Sequence, residues 1–171
     1  MPPKGNITPD ITEQELIVQE CELQGDVSPE ALTGLTAAFI AAKLAAHSWD
    51  EGPCPGESVE EMILALGCMV KPDKNEKGWR QSEVYFETYE FATPPRLVPR
   101  AMETYCEAFA RQRFESADEA YLHFEKIHPF EDGNGRIGWL LWLMYYFITH
   151  NGEWLKRLPP EFSELAKRNF G

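Results

Sequence analysis

Two helix breakers stand inside a stretch otherwise patterned for a helix, and they limit what this chain can fold into. Between residues 116 and 150 the apolar side chains recur at helical spacing, but Pro129 and Gly133 fall in the middle. Proline lacks a backbone donor and clashes with the preceding turn, and glycine lets the backbone leave the helical region. The stretch is therefore expected to form two helices joined by a tight loop. Ser116 and Glu119 give the first helix a capping-box pattern. Ala117, Ala120, Tyr121, Phe124 and Ile127 then lie on one face, and His128 falls at its end. The second helix, 134–150, reads as a buried core helix. Its most apolar run, 139–149, is too short for a bilayer span of about 20 residues.

The rest of the chain follows the same logic. A helix is predicted over 12–24, stopped by Gly25 and Asp26. Ser28 as N-cap and Pro29 in the first turn start another, 29–48. A loop covers 50–56. Ser58 and Glu61 form a capping-box pattern for a helix over 58–70. The polar stretch 71–78 reads as a loop, and further helices are predicted over 97–113 and 161–169. Residues 79–91 are rich in aromatic side chains, with Val84 and Thr88 among them, and suggest a β-hairpin or flap ended by Pro94 and Pro95. Residues 1–10 read as a flexible arm and 11–171 as a single domain. The expected fold class is mainly α with one small β-hairpin flap.

The formal net charge is -12, from 28 acidic against 16 basic residues. Nonspecific nucleic-acid binding depends on cations that neutralise phosphates, so this balance argues against a nucleic-acid partner. Cys21, Cys54, Cys68 and Cys106 are widely spaced, which fits reduced thiols rather than a zinc site or a disulfide framework. The opening MPPKGNITPD has no apolar core of a secretory signal. The expectation is a cytoplasmic protein with no membrane partner.

Chemistry concentrates in HPFEDGNGRIGW, residues 128–139. A histidine closes one helix, a carboxylate (Asp132) follows, and Gly133, Asn134 and Gly135 open the next helix with Arg136 in its first turn. Helix N-termini present free N–H groups and the positive end of the dipole, and glycines let a ligand approach closely. That combination suits a phosphate. Arg136 adds a permanently charged fork for phosphate oxygens. Asp132 is a hard oxygen ligand suited to Mg²⁺ held mainly by nucleotide phosphates. His128 has a side chain suited to taking a proton near neutral pH. Phe130 reads as the apolar anchor of the loop. A helix–turn–helix connection with a satisfied core histidine is the plain alternative, but so many phosphate-handling groups between 128 and 136 favour a site. The other histidines do not compete: His123 reads as a surface residue, and His47 and His150 lie near helix C-termini.

This stretch resembles the motif of the Fic family, HxFx(D/E)GNGRxxR, with His128, Phe130, Asp132, Gly133, Asn134, Gly135 and Arg136 in register. The segment GWRQSEVYF and the prolines after it are similar to the family's flap, and the likeness runs over roughly 15–150. The resemblance implies a helical Fic core. It also implies a Mg²⁺-dependent transferase in which His128 deprotonates a protein hydroxyl. That oxygen would attack the α-phosphate of a nucleotide, usually ATP, leaving a nucleotidyl group on the target and releasing pyrophosphate. Asp132 would hold Mg²⁺, Gly133, Asn134 and Gly135 would line the anion hole, Arg136 would bind phosphate, and a protein substrate would dock at the flap, 79–91.

The motif's last arginine falls on Trp139, which carries no charge and one donor. In the family that arginine grips the terminal phosphate of ATP. Trp139, Trp142, Tyr145 and Tyr146 make an aromatic-rich helix that reads as core, with Trp139 alone a candidate to stack on a base or fill the lost phosphate site, and Trp139→Arg is expected to strengthen ATP binding. The N-terminal ECELQGD resembles a degraded form of the family's inhibitory helix (12–25), with Glu20 at the Ser/Thr position and Gln24 at the position of the inhibitory Glu. Two readings contrast with nucleotidyl transfer: transfer of another phosphate-containing group, such as phosphocholine or phosphate, and a catalytically altered scaffold that binds a nucleotide or a regulatory partner.

Overall fold

The computed structural model describes residues 6–49, 55–86 and 92–161. These form seven α-helices: α1 (Ile11–Leu23), α2 (Pro29–Ser48), α3 (Gly56–Val70), the single turn α4 (Pro72–Asn75), α5 (Val98–Ala110), α6 (Ala117–Ile127) and α7 (Asn134–Thr149), with a 3-10 turn at Pro95–Leu97 leading into α5. Helix α7 is the axis of the body, packed on α6, α2 and α3, with α5 closing α3 and α6 from the other side. Nearly every residue of α7 from Asn134 to Tyr145 is buried, which explains the absence of a polar stripe in its sequence.

The helix starts follow local chemistry. Asp10 caps α1 through a full capping box with Glu13. Ser28 accepts from the Ala31 N–H to start α2, and Ser116 accepts from the Glu119 N–H to start α6. Two start signals come out differently. Helix α3 begins at Gly56 with Pro55 as N-cap, so Ser58 and Glu61 lie inside it. At α6 the Glu119 carboxylate bonds the Glu115 N–H rather than that of Ser116. The stretch 71–78 also contains the turn α4, absent from the sequence expectation.

Helix α2 has the length and composition of a membrane span, unlike the shorter run at 139–149. Its Leu35, Phe39 and Ala42 nevertheless lie in the core, and its Lys43 forms a buried ion pair with Glu13 of α1, 2.9 Å. Among the described residues there is no extended strand at 79–86. A bridge at Tyr85 and an Ala92 N–H bond to the Val84 carbonyl, 3.1 Å, close the mouth of this segment. The predicted hairpin's residues 87–91 and all but the first residue of the predicted helix over 161–169 lie outside the described residues. Cys21, Cys68 and Cys106 are free thiols.

Candidate active site

His128 is the residue at which α6 stops. It adopts the left-handed conformation, φ 51°, while its N–H still donates to the Phe124 carbonyl, 2.9 Å. That backbone region costs a non-glycine residue on the order of 1–3 kcal/mol, so the surroundings must impose it. The imidazole meets the Phe86 ring edge-on at 5.5 Å. Its Nδ1 is buried with no hydrogen-bond partner; the Glu125 carbonyl favours the protonated ring but does not reach bonding geometry. Burial holds the imidazole below its ordinary range, with a smaller push from Arg80, and the Glu125 carbonyl and Asp132 oppose them. A neutral ring able to accept a proton is the result.

The loop after His128 is held from three directions. Phe130 is fully buried, tilted against Trp79 at 5.3 Å. It lies so close to α3 that a Cβ on Gly67 would sit 2.3 Å from its ring, which only glycine avoids. Asn134 closes the loop, accepting from the Phe130 N–H and donating to the Phe130 carbonyl, each 2.9 Å. Asn75 of α4 donates to the Asp132 carbonyl, 2.8 Å, and to the Gly67 carbonyl, 3.0 Å. Sequence reading missed Asn75, because its partner lies 57 residues away. The Asn134 side chain is a loop clamp; what it can offer a ligand is its backbone N–H.

Helix α7 starts from Gly133, φ 85°. Asp132 accepts from the Gly133 N–H, 2.7 Å, and from Arg136, 3.4 Å, both through Oδ1. Its side chain is 46% exposed, leaving Oδ2 for a cation. Arg136 is 1% exposed, and its Nε and Nη1 have no partner. A buried guanidinium with two unsatisfied nitrogens is costly unless an anion or water completes it. Gln24 of α1 covers Gly135: a Cβ there would lie 2.5 Å from the Gln24 amide nitrogen. Gln24 in turn donates to Glu20, 3.1 Å.

Glu20 and Glu125 add two buried carboxyls to this corner. Burial pushes Glu20 up to about 7, against the Gln24 hydrogen bond and the Arg136 charge. Burial, reinforced by Glu20, pushes Glu125 up to about 8, and its Oε1 has no partner. Glu125 carried a usable sequence signal: it stands four residues after Tyr121, on the same buried face.

Trp139 lies in the core and does not face a ligand. It is 0% exposed, its ring tilts on Phe39 at 5.8 Å, and its N–H donates to the Arg157 carbonyl, 3.2 Å. With no exposed face and no free donor, it neither stacks on a base nor offers a bond to phosphate in this arrangement. Sequence alone did not show that the segment after α7 would return to cover it.

The match to a family model now has a geometry behind it. The Fic/DOC model matches residues 60–146, just over half of the chain, and the chain belongs to that family. Fic domains generally transfer phosphate-containing groups to proteins. Two solved structures share the fold. One is a Fic domain containing signaling protein from Bacteroides thetaiotaomicron, 18% identical, TM-score 0.60, covering 95% of this chain and 64% of that one. The other is Fic-1 from C. elegans, 18% identical, TM-score 0.58, covering 93% and 48%. The chain thus spans less than two thirds of the length of either. No curated protein matches the sequence.

Proposed function

We propose that this chain is a transferase that moves a nucleotidyl group, such as AMP, from a nucleoside triphosphate to a hydroxyl of a protein docked at the flap near 79–91. The observation that carries this reading is Arg136, buried with Nε and Nη1 unpartnered at the N-terminus of α7, on the helix that follows the His128 loop. A phosphate oxygen there would meet the guanidinium, the backbone N–H groups of Gly135 and Asn134 and the positive helix end together. His128 takes the proton of the target hydroxyl. The freed oxygen bonds to the α-phosphorus as the bond to the leaving pyrophosphate breaks. Asp132 would hold Mg²⁺, whose charge would help neutralise the leaving group.

Two observations favour a second reading of the donor. Trp139 is locked into the core where the family has its terminal-phosphate arginine, and Gln24 lies over Gly135. A donor that needs no grip on a terminal phosphate, such as one delivering phosphocholine, fits that loss. A scaffold that binds a nucleotide or regulatory partner without transfer is the third outcome.

Intact-protein mass spectrometry with Mg²⁺ and each donor in turn separates the three. Wild type is expected to modify itself or a lysate protein, and His128→Ala to do so about 10²–10⁴-fold more slowly. The added mass names the group. Nucleotide binding with no mass gain for any donor would leave the scaffold.

A further inference from the structure

Arg80 is as deeply buried as Arg136, at 1% exposure, but all of its hydrogen bonds among the described residues go to the backbone. Its Nε donates to the His128 carbonyl. Nη1 donates to Ser82, 2.7 Å, and Nη2 to Thr93 and to Ile127, 3.0 Å for the latter. Its own N–H donates to the Pro129 carbonyl, 2.8 Å. These acceptors come from three places. Ser82 and Thr93 lie on either side of the Ala92–Val84 closure, one on each stem of the flap. Ile127 and His128 end α6, where carbonyls have no helical donor and the dipole is negative. Pro129 opens the catalytic loop.

The chemistry of the residue fits this duty. A guanidinium is a rigid planar fork with five donors, so it can join several carbonyls at fixed angles. Burying it is tolerable only because carbonyls satisfy it. One of those carbonyls belongs to the residue held at φ 51°, whose strain needs an external restraint. A parallel tie is weaker and exposed: the Glu131 carboxylate accepts from the Gln81 N–H, 2.7 Å, and from the Ser82 N–H and hydroxyl.

We propose that Arg80 is the positioning residue of this site, clamping both stems of the flap to the His128 backbone so that the docked hydroxyl and the base meet in one geometry. The proposal rests on His128 as the base and on the flap as the docking segment. Arg80 itself touches no substrate. Loss of the clamp would slow the chemical step rather than weaken nucleotide binding, because Arg136 and the α7 N-terminus keep their own supports in Asn75 and Asn134.

The test uses the full chain with Arg80→Met and Arg80→Lys, and three readouts. In Arg80→Met the Ala92 amide is expected to exchange at least about tenfold faster while α7 amides stay protected, a local rather than global opening. The NMR cross-peak between the Phe86 and His128 rings is expected to vanish. With a working donor, kcat is expected to fall about 10²-fold with the donor KM unchanged, the size that misplacement of about 1 Å can cause. Arg80→Lys keeps the charge but has three donors and no fork, so it is expected to show the same losses at smaller size. Wild-type exchange and cross-peak in Arg80→Lys, or in a folded Arg80→Met, would overturn the clamp, as would a loss confined to KM. Should Arg80→Met not fold, Arg80→Lys decides alone. The exchange and cross-peak readouts need no donor, so a wild type inert toward every donor would sink the transferase reading while leaving the clamp to its own result.

Discussion

In the first turn of α7, Arg136 is buried with two nitrogens unpaired, beside the half-exposed Asp132 carboxylate and a Gly135 covered only by the Gln24 amide. One turn further on, Trp139 is buried with its N–H bonded and its ring packed on Phe39. The two turns belong to one helix and one sequence motif, yet one is left incomplete and the other is filled. Unsatisfied polar groups in a close-packed interior are kept where something else completes them. A motif position that has become core has lost that reason. The comparison teaches that the family motif here is not one unit: its first half leaves buried polar groups open, and its last position is packing.

The sharpest way to break this contrast is Trp139→Arg. Read from the motif, it restores a phosphate grip; read from the structure, it places a charge in an aromatic core. We expect a stability loss of at least about 3–5 kcal/mol, the usual cost of emptying a buried tryptophan site, with an uncompensated charge adding to it. Urea denaturation reads the loss, and tighter ATP binding in a fully stable variant would refute the core assignment.

A smaller effect is expected beside the first turn, from Glu125→Gln. Glu20 and Glu125 titrate near 7 and 8 in the folded chain against an ordinary 4.5. The native state therefore holds more protons than the unfolded one between those values. Their contribution is fully present below about pH 4.5 and is lost as pH rises through 7 and 8. Replacing Glu125 with a neutral amide is expected to flatten that fall. The gain over wild type at pH 9 relative to pH 5 should be on the order of 1–3 kcal/mol, at about 1.4 kcal/mol per pH unit. Parallel stability profiles for the two proteins would show that Glu125 does not carry the effect.

The smallest is Gln24→Ala. Removing the amide that covers Gly135 should open the α7 N-terminus without touching the core. Nucleotide affinity, read by calorimetry, is expected to rise by up to about tenfold, or ~1.4 kcal/mol. Unchanged affinity would mean that Gln24 does not stand in a ligand's way.

Much of this was legible in the sequence because it is local. Pro129 and Gly133 mark the loop, Ser28 and Ser116 mark helix starts, and the spacing of Ala120, Phe124 and His128 puts the histidine at the end of a buried face. Gln24 was singled out only through the family likeness, and its place over Gly135 comes from the structure. What stayed hidden depends on partners far along the chain. Asn75 reads as a loop residue until its carbonyls at 67 and 132 are in place. Arg80 is not distinguished within the aromatic run 79–91 until its carbonyl acceptors at 127 and 128 are in place. Trp139 looks like a ligand-facing aromatic until the Arg157 carbonyl returns to it. Start signals can also be offset, as at α3, where Pro55 and Gly56 precede the serine that looked like the cap.

The Arg80 fork also bears on the order of assembly. Its carbonyl acceptors lie up to 48 residues away, so none of its long bonds can form until α6 is complete and the flap has folded back. Until then a buried guanidinium would be stranded, so the chain gains nothing by hiding it early. The Arg80 bonds are thus made or lost together, and their state reports whether the end of α6 and the two stems of the flap have met.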